Sequence, residues 1–412
     1  MEKYFNTFSI AHLLTLSLIA RIIVFYFYGD TALTNEWEKL IHNKEISGIF
    51  GFYVAESEFA AHPKLAEVGE KVLPSIYMPP LYYYFIYVIK FLSLNIFDLS
   101  NLVIIFQIFL SLVSILIFFK IVSNLTTKEL SITISSIFAF YPINVLASSQ
   151  ISSITLQIFL LLNFFYFLTR ILKKKSKSNI FFFSLFSGLL ILTRGEFFLF
   201  FLLTIIYFFL FYIKNFKYFL FSIIITLIVI TPYLYRNYVL FESFTLTKSF
   251  GYNLLKGNNP NFKVEGDAVY VEKEFPRNKL KIKTNNNYEI NLDNFYKEKA
   301  IQNIQEDPMK YLRFYFIKVL SFLFMDLGSS YPNYYNFFHI LPKIILSVTS
   351  LLGAVISLRK KGFIQYISLY YFANIFLFSI FFVLPRYSLI LLPVQLLLSI
   401  DIFKYLFRKL MN

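Results

Sequence analysis

Two carboxylates stand near the start of the chain, Asp30 and Glu36, in the run Asp30-Thr31-Ala32-Leu33-Thr34-Asn35-Glu36-Trp37. They follow a long apolar stretch, so both fall where a helix leaves a hydrocarbon phase. A carboxylate held partly desolvated at such a boundary has a raised pKa and is a better base. It can take a proton from a hydroxyl or an amine. The competing explanation is an interfacial acid with no chemical task. Three arginines form the second group: Arg194 in Thr193-Arg194-Gly195-Glu196, Arg236 in Arg236-Asn237-Tyr238 and Arg386 in Pro385-Arg386-Tyr387. Each stands alone at the end of an apolar run, where a cation costs free energy unless it finds a partner or water. Guanidinium geometry matches phosphate oxygens, so together they suggest an anion site, with Glu196, Asn237 and Tyr387 in support. The alternatives are a local Arg194–Glu196 pair and three independent snorkelling side chains.

Other chemistries find less support. The four histidines, His12, His42, His62 and His339, have no metal-ligand spacing with one another, and there are no cysteines. No Walker signature occurs, and Gly251…Gly257 is not followed by the helix a phosphate loop needs. Cofactor use stays open on one point: the outer acids could hold a divalent cation or act without one.

These residues need elements to position them, and the spacing of charge shows which. Segments 131–169, 180–193, 197–213, 218–235, 362–385 and 387–400 contain no Asp, Glu, Lys or Arg. An uninterrupted apolar helix of about 18 residues or more is long enough to cross a bilayer. With 57% hydrophobic and 21% aromatic residues, this 412-residue chain must use lipid as part of its solvent. The expected fold class is an all-α polytopic membrane protein of about ten to twelve transmembrane helices. The segment from about Phe8 to Tyr28 reads as a retained first span, too long for a signal peptide and without its cleavage site. The net charge of +15 serves membrane orientation rather than nucleic-acid binding: the cation-rich runs 170–177, 214–217, 359–361 and 404–409 are expected to be cytoplasmic. Alternation then places Asp30, Arg194, Arg236 and Arg386 on the opposite face. Both termini are expected to be cytoplasmic.

Three parts follow: 1–235 as the N-terminal transmembrane module with its outer loop 29–76, 236–310 as an outer loop, and 311–412 as an interfacial helix followed by C-terminal spans. Loop 31–76 is expected to form short helices on the outer face, and 388–403 one continuous span. Segments 80–97 and 101–119 both look helical. If both cross, Lys120 and Lys128 fall outside, so one is expected to be short, re-entrant or interfacial. Segment 309–327, with Lys310, Arg313 and Lys318 among aromatics, suits a helix lying in the interface.

The order of the motifs resembles a known family. An early helix ending near an Asp, an acidic outer loop with Glu36-Trp37 and the helix start Pro79-Pro80-Leu81-Tyr82 resemble the beginning of GT-C fold glycosyltransferases. The closest group is the family 39-like mannosyltransferases, with the bacterial aminoarabinose transferase. Thr231-Pro232-Tyr233-Leu234-Tyr235-Arg236-Asn237, followed by Gly251-Tyr252-Asn253-Leu254-Leu255-Lys256-Gly257-Asn258, is similar to the Pro-Trp-x-x-Arg-Asn…Gly-x-Asn-Leu-x-x-Gly-Asn pattern of bacterial members. Leu192 to Glu196 and Arg386-Tyr387 agree in position. Where members carry adjacent Asp-Glu, this chain has Asn35-Glu36.

The resemblance implies sugar transfer from a polyprenyl-phosphate donor on the non-cytoplasmic face, in a bacterial inner membrane. Asp30 or Glu36 would be the catalytic base, and Arg194, Arg236 and Arg386 would surround the donor phosphate. The acceptor would be a lipid, a protein or a polysaccharide. Its hydroxyl or amine would attack the anomeric carbon directly, and arginine would meet the charge growing on the lipid phosphate. The rival readings are a transporter or flippase of lipid-linked saccharides and a non-catalytic envelope assembly protein. Carriers place ionisable groups near the midplane, whereas this chain keeps them at one face.

Overall fold

The computed structural model describes residues 9–93, 96–174, 176–212, 216–331 and 334–411. Phe8, Lys175 and Lys214, which the sequence reading uses, lie outside them. The chain is 71% helix and 2% strand. It begins with α1 (Ile10–Tyr28) and α2 (Asn35–Ser47), which ends at Gly48 in the left-handed region, φ 73°. A three-stranded antiparallel sheet follows, made of β1 (Tyr53–Ala55), β2 (Ala61–Pro63) and β3 (Val72–Leu73). Its central strand is β1, with Val54 opposite His62 on one side and Val72 on the other. Then come α3 (Pro80–Ser93), α4 (Leu99–Ser123), α5 (Lys128–Phe140), α6 (Pro142–Ala147), α7 (Ile154–Lys173), α8 (Lys177–Thr193), α9 (Phe197–Phe211) and α10 (Phe216–Phe241). The second polar stretch holds α11 (Phe250–Gly257), α12 (Ala268–Glu274), a 3-10 turn at Arg277–Lys279 and α13 (Tyr288–Glu306). The chain closes with α14 (Pro308–Leu323), α15 (Phe337–Ser357), α16 (Phe363–Phe378), α17 (Pro385–Ile390), α18 (Leu392–Leu398) and α19 (Ile400–Met411).

Five described helices, α1, α4, α7, α10 and α15, are long and apolar enough to cross a bilayer; α8, α9 and α16 are apolar but shorter. This is the pattern of a helical membrane protein. On α1 the apolar side chains point away from the protein: Ile19, Ile22, Ile23 and Phe27 are 49–68% exposed. Its buried stripe is Leu13, Ser17 and Arg21, a spacing of four that keeps all three on one face. Arg21 is fully buried there. It donates from Nε to Ser111 Oγ (3.0 Å) on α4, and from Nη1 to Ser17 O and Ala139 O (3.2 Å each), so it ties α1 to α4 and α5.

Several expectations change in detail. Loop 31–76 is only partly helical, because its β-branched and aromatic residues around Tyr53 pair as strands. Segment 388–403 is three short helices, with Pro393 at the start of α18, where its missing N–H is tolerated but helix continuity is lost. Helix α10 continues past Tyr235 through Pro232 to Phe241, so Arg236 and Asn237 lie in its last turns and not beyond its end. Within 80–119 the two helices differ in length. At 14 residues α3 is about 21 Å long, short of the ~30 Å hydrocarbon core. Its Lys90 pairs with Glu45 of α2. It stays at the end of the protein where it began, and α4 runs to the other end alone.

Two ends are therefore distinct. At one, Lys173 Nζ donates to Asn124 Oδ1 (2.8 Å), Lys404 Nζ to Leu125 O (3.0 Å) and Tyr207 to Gly362 O (3.0 Å), and Lys360 pairs with Asp401. This end gathers the cation-rich runs. Lys120 and Lys128 flank Asn124 and Leu125, and so belong to it. The polar stretches 29–79 and 242–308 and the turns 147–153, 193–196 and 379–387 contact one another at the opposite end. Helix α14 sits there too: buried Lys318 donates to Phe381 O (2.8 Å), Asn258 Oδ1 (3.0 Å), Gly257 O (3.2 Å) and Ile380 O (3.3 Å).

Candidate functional site

The turn between α8 and α9 presents Arg194 in extended backbone (φ −156°), because the helix stops at Thr193. Its Nη2 donates to Glu196 Oε1 at 2.9 Å. Its guanidinium covers two rings, Tyr387 at 4.8 Å and Phe378 at 5.1 Å. Burial opposes charge on Arg194, but Glu196 and Tyr387 outweigh it and raise its pKa. Burial likewise pushes the Glu196 carboxyl up, and Arg194 more than reverses that, leaving it below the usual range. Tyr387 also lies under Arg386, 5.7 Å from ring centre to guanidinium. The exposed Arg386 is close enough to Lys256 and Tyr331 to act on their charges. Burial first, and Arg386 second, hold the Lys256 ammonium below its usual pKa. Lys256 in turn covers the Phe382 ring at 4.5 Å. Two arginines and one lysine thus line a region floored by aromatic rings, with Glu196 paired to Arg194 and with Glu272 and Asp267 close enough to Lys256 to favour its charge.

Helix α11 can present Lys256 here because of its two glycines. A Cβ on Gly251 would lie 1.9 Å from Asp293 O, and one on Gly257 2.2 Å from Phe381 O. The helix is wedged between two backbones, and only glycine permits that approach.

Arg236 has a different environment. Its Nη1 donates to Ser75 O and Asn237 Oδ1, both at 2.8 Å. Buried Asn237 donates to Thr245 O at 2.7 Å, and Lys248 N donates to Ile76 O at 3.0 Å. The same 75–77 turn is held from its other side by Glu289 on α13. Glu289 Oε2 accepts from Ile76 N (2.6 Å), Tyr77 N (2.9 Å) and Ser75 Oγ (3.0 Å), while buried Oε1 has no partner among the described residues. Burial raises the Glu289 pKa to about 7 against the pull of these donors and of Arg236. Arg236 and Glu289 clamp one turn between them, and that turn sets the start of α3.

Asp30 accepts from Ile151 N through Oδ2 (2.6 Å) and donates its own N–H to Ser149 O (3.1 Å). Nearby, Gln150 Nε2 donates to Tyr28 O (2.7 Å), and Gln107 Nε2 donates to Gln150 O (2.9 Å) and accepts through Oε1 from Tyr82 (2.7 Å). Asp30 thus anchors the end of α1 to the turn before α7. Glu36 lies in the first turn of α2, half-buried, beside Trp37. Trp37 meets Tyr82 edge-on at 4.8 Å. Glu36 makes no hydrogen bond or ion pair among the described residues and lies close enough to Tyr77 to act on its hydroxyl.

Of the residues singled out in the sequence, Arg194, Glu196, Arg386 and Tyr387 form one group, and Arg236 with Asn237 a second, built into the 75–77 clamp. Asp30 and Glu36 share the Tyr82–Trp37 neighbourhood without an ion pair to any of the three arginines among the described residues. All eight lie at the end opposite the cation-rich runs. Among the described residues no group of three or more His, Asp or Glu is placed to hold a metal ion. Sequence reasoning missed Glu289, Lys256 and Arg21. Glu289 and Lys256 sit in stretches crowded with like charges, where none stands out. Arg21 was legible as a lone charge within an apolar run. No protein-family model matches this chain, and no curated protein matches its sequence.

Proposed function

We propose that the protein is an integral membrane glycosyltransferase of the GT-C type, taking a sugar from a polyprenyl-phosphate donor to a lipid, protein or polysaccharide acceptor on the non-cytoplasmic face. The observation that carries this reading is the gathering of Arg194, Arg386 and Lys256 over aromatic rings, at the end of an apolar bundle that also holds the acidic loop with Asp30 and Glu36. Lipid-embedded helices suit a donor whose tail stays in the bilayer, and the Arg386 guanidinium, exposed and without an ion pair among the described residues, suits its phosphate. The acceptor O–H or N–H attacks the anomeric carbon as the carbon–oxygen bond to the lipid phosphate breaks. The proton goes to a carboxylate, and polyprenyl phosphate leaves with the bonding pair. Glu36, which accepts no hydrogen bond among the described residues, is the freer base. Asp30 spends one oxygen on the Ile151 N–H and holds the loop. The cation-rich end is cytoplasmic in this reading, in a bacterial inner membrane, and no nucleic acid takes part.

The test supplies proteoliposomes with a polyprenyl-phosphate sugar and a membrane glycolipid extract and measures release of polyprenyl phosphate. Wild type is expected to release it; Glu36→Gln is expected to lose at least a hundredfold in rate with unchanged melting, and Asp30→Asn less, with a lower melting temperature because its bond to Ile151 N weakens. Release at full rate by both variants would remove the base assignment, and no release by wild type with any donor would remove the transferase reading.

A further inference from the structure

Between β1 and the 3-10 turn, a guanidinium is enclosed by phenols. Arg277 lies 5.4 Å over the Tyr53 ring, with the Tyr296 hydroxyl close enough to act on its charge. Tyr288 meets Tyr53 edge-on at 5.2 Å, and Tyr252 meets Tyr296 at 5.6 Å. These buried phenols are neutral near pH 7, with burial holding them above the ordinary tyrosine range. None therefore cancels the charge, and no carboxylate pairs with Arg277 among the described residues. Pro276 and the bonds Lys279 N to Pro276 O (2.9 Å) and Leu280 N to Arg277 O (3.1 Å) fix the turn that carries it. A guanidinium with one face on a ring keeps edge N–H groups for an oxyanion.

The group adjoins the site already described. Half-buried Tyr77 and Tyr252 stand 6.3 Å apart, centre to centre, and both feel the Arg277 charge. Tyr77 is near enough to feel the charges of both Arg277 and Glu36. Tyr252 and Lys256 are one turn apart on α11, with side chains about 6 Å apart at their roots. The same helix therefore carries one wall of the box and one cation of the Arg386 group.

We infer that the Arg277 box is an acceptor subsite for an anionic saccharide or glycolipid headgroup. Arg277 takes the acceptor's carboxylate or phosphate, the Tyr77 and Tyr252 rings carry the apolar face of its sugar, and the hydroxyl to be glycosylated turns toward Glu36. The word acceptor rests on the transferase reading; the binding of an anionic sugar does not.

The experiment uses the full chain in phosphatidylcholine nanodiscs. Trp37 is the single tryptophan of the chain and adjoins Glu36, so its emission is titrated with glucuronate, glucose 6-phosphate and glucose. At least one charged sugar is expected to bind tenfold or more tightly than glucose; the carboxylate or the phosphate arm identifies the acceptor's anion. Arg277→Gln is expected to raise that Kd at least tenfold and Arg277→Lys by less, while Lys279→Gln, the same charge change on the same turn, leaves it within twofold. Equal binding of all three sugars by wild type would overturn the proposal even if no variant folds, as would Arg277→Gln behaving like Lys279→Gln. Charge-selective binding through Arg277 with no sugar transfer from any lipid-linked donor would leave the oxyanion site and end its acceptor role.

Discussion

Arg194 combines an ion pair with two aromatic contacts, and no other side chain reproduces all three. Lysine can keep the pairing with Glu196 but not the planar fork or the stacking. If Arg194 meets charge developing on a leaving phosphate, Arg194→Gln should lower the rate of sugar transfer by roughly a hundredfold or more, the scale seen when a preorganised donor is removed. Arg194→Lys should recover part of it. Steady-state rates at saturating donor check this, and a change confined to KM would count against it. Glu289 makes a second residue-level prediction. Its folded-state pKa of about 7 lies above the ordinary glutamate value of 4.5, so the folded state holds a proton that the unfolded chain releases. That contribution to stability is complete below about pH 4.5, falls as the pH rises to about 7, and amounts to roughly 3 kcal/mol. Glu289→Gln, which mimics the protonated form, should remove this share of the pH dependence. Melting of wild type and variant between pH 4.5 and 8 gives the difference directly. A lone arginine amid apolar residues is legible in a sequence because its desolvation cost demands a reason. Glu289 is one acid among many in 236–308, and only its burial against Ser75, Ile76 and Tyr77 distinguishes it.

Helix α11 shows how an element turns a motif into a position. The Gly251…Gly257 pattern reads in the sequence as a motif with no stated task; in the fold each glycine is a point where two backbones nearly touch. Gly257→Ala would drive a methyl against Phe381 O, a backbone atom that cannot rotate away. The helix should shift, at a cost of roughly 1–3 kcal/mol for overpacking, and Lys256 and Tyr252 should move with it. The expected outcome is a lower melting temperature together with a loss of sugar transfer larger than the stability change explains, since polyprenyl-phosphate release measured well below melting isolates the displacement of Lys256. The clamp on the 75–77 turn works similarly for α3. Arg236 was legible as a cation at a helix end, but its commitment to Ser75 O follows from α10 continuing beyond Tyr235. Nothing in the local sequence marks that extension, because Pro232 argues against it.

At the scale of the whole molecule, the protein has one cation-rich end and one end that gathers every candidate residue. The absence of cysteine allows a direct check of how these ends face a membrane. Lys177→Cys and Glu67→Cys both lie at exposed positions, at opposite ends. In intact cells an impermeant thiol reagent should label Glu67→Cys at once and Lys177→Cys only after permeabilisation. Labelling of both, or of Lys177→Cys alone, would reverse or dissolve the orientation that the charge pattern implies.

What the sequence determined by itself is the solvent and the polarity of the fold: apolar runs long enough to cross a bilayer, and charges displaced to their ends, because a charge in hydrocarbon is too costly to place without consequence. It also determined which lone cations needed a reason. Tertiary structure decided which of them meet. Arg194 and Arg386 come together over one tyrosine, Arg236 is spent on a turn, Arg277 lies among rings from β1, α11 and α13, and α3 packs its far end against α2. Those outcomes depend on contacts between segments as much as 224 residues apart, as for Tyr53 and Arg277, and local composition carries no record of which distant backbone will close on which side chain.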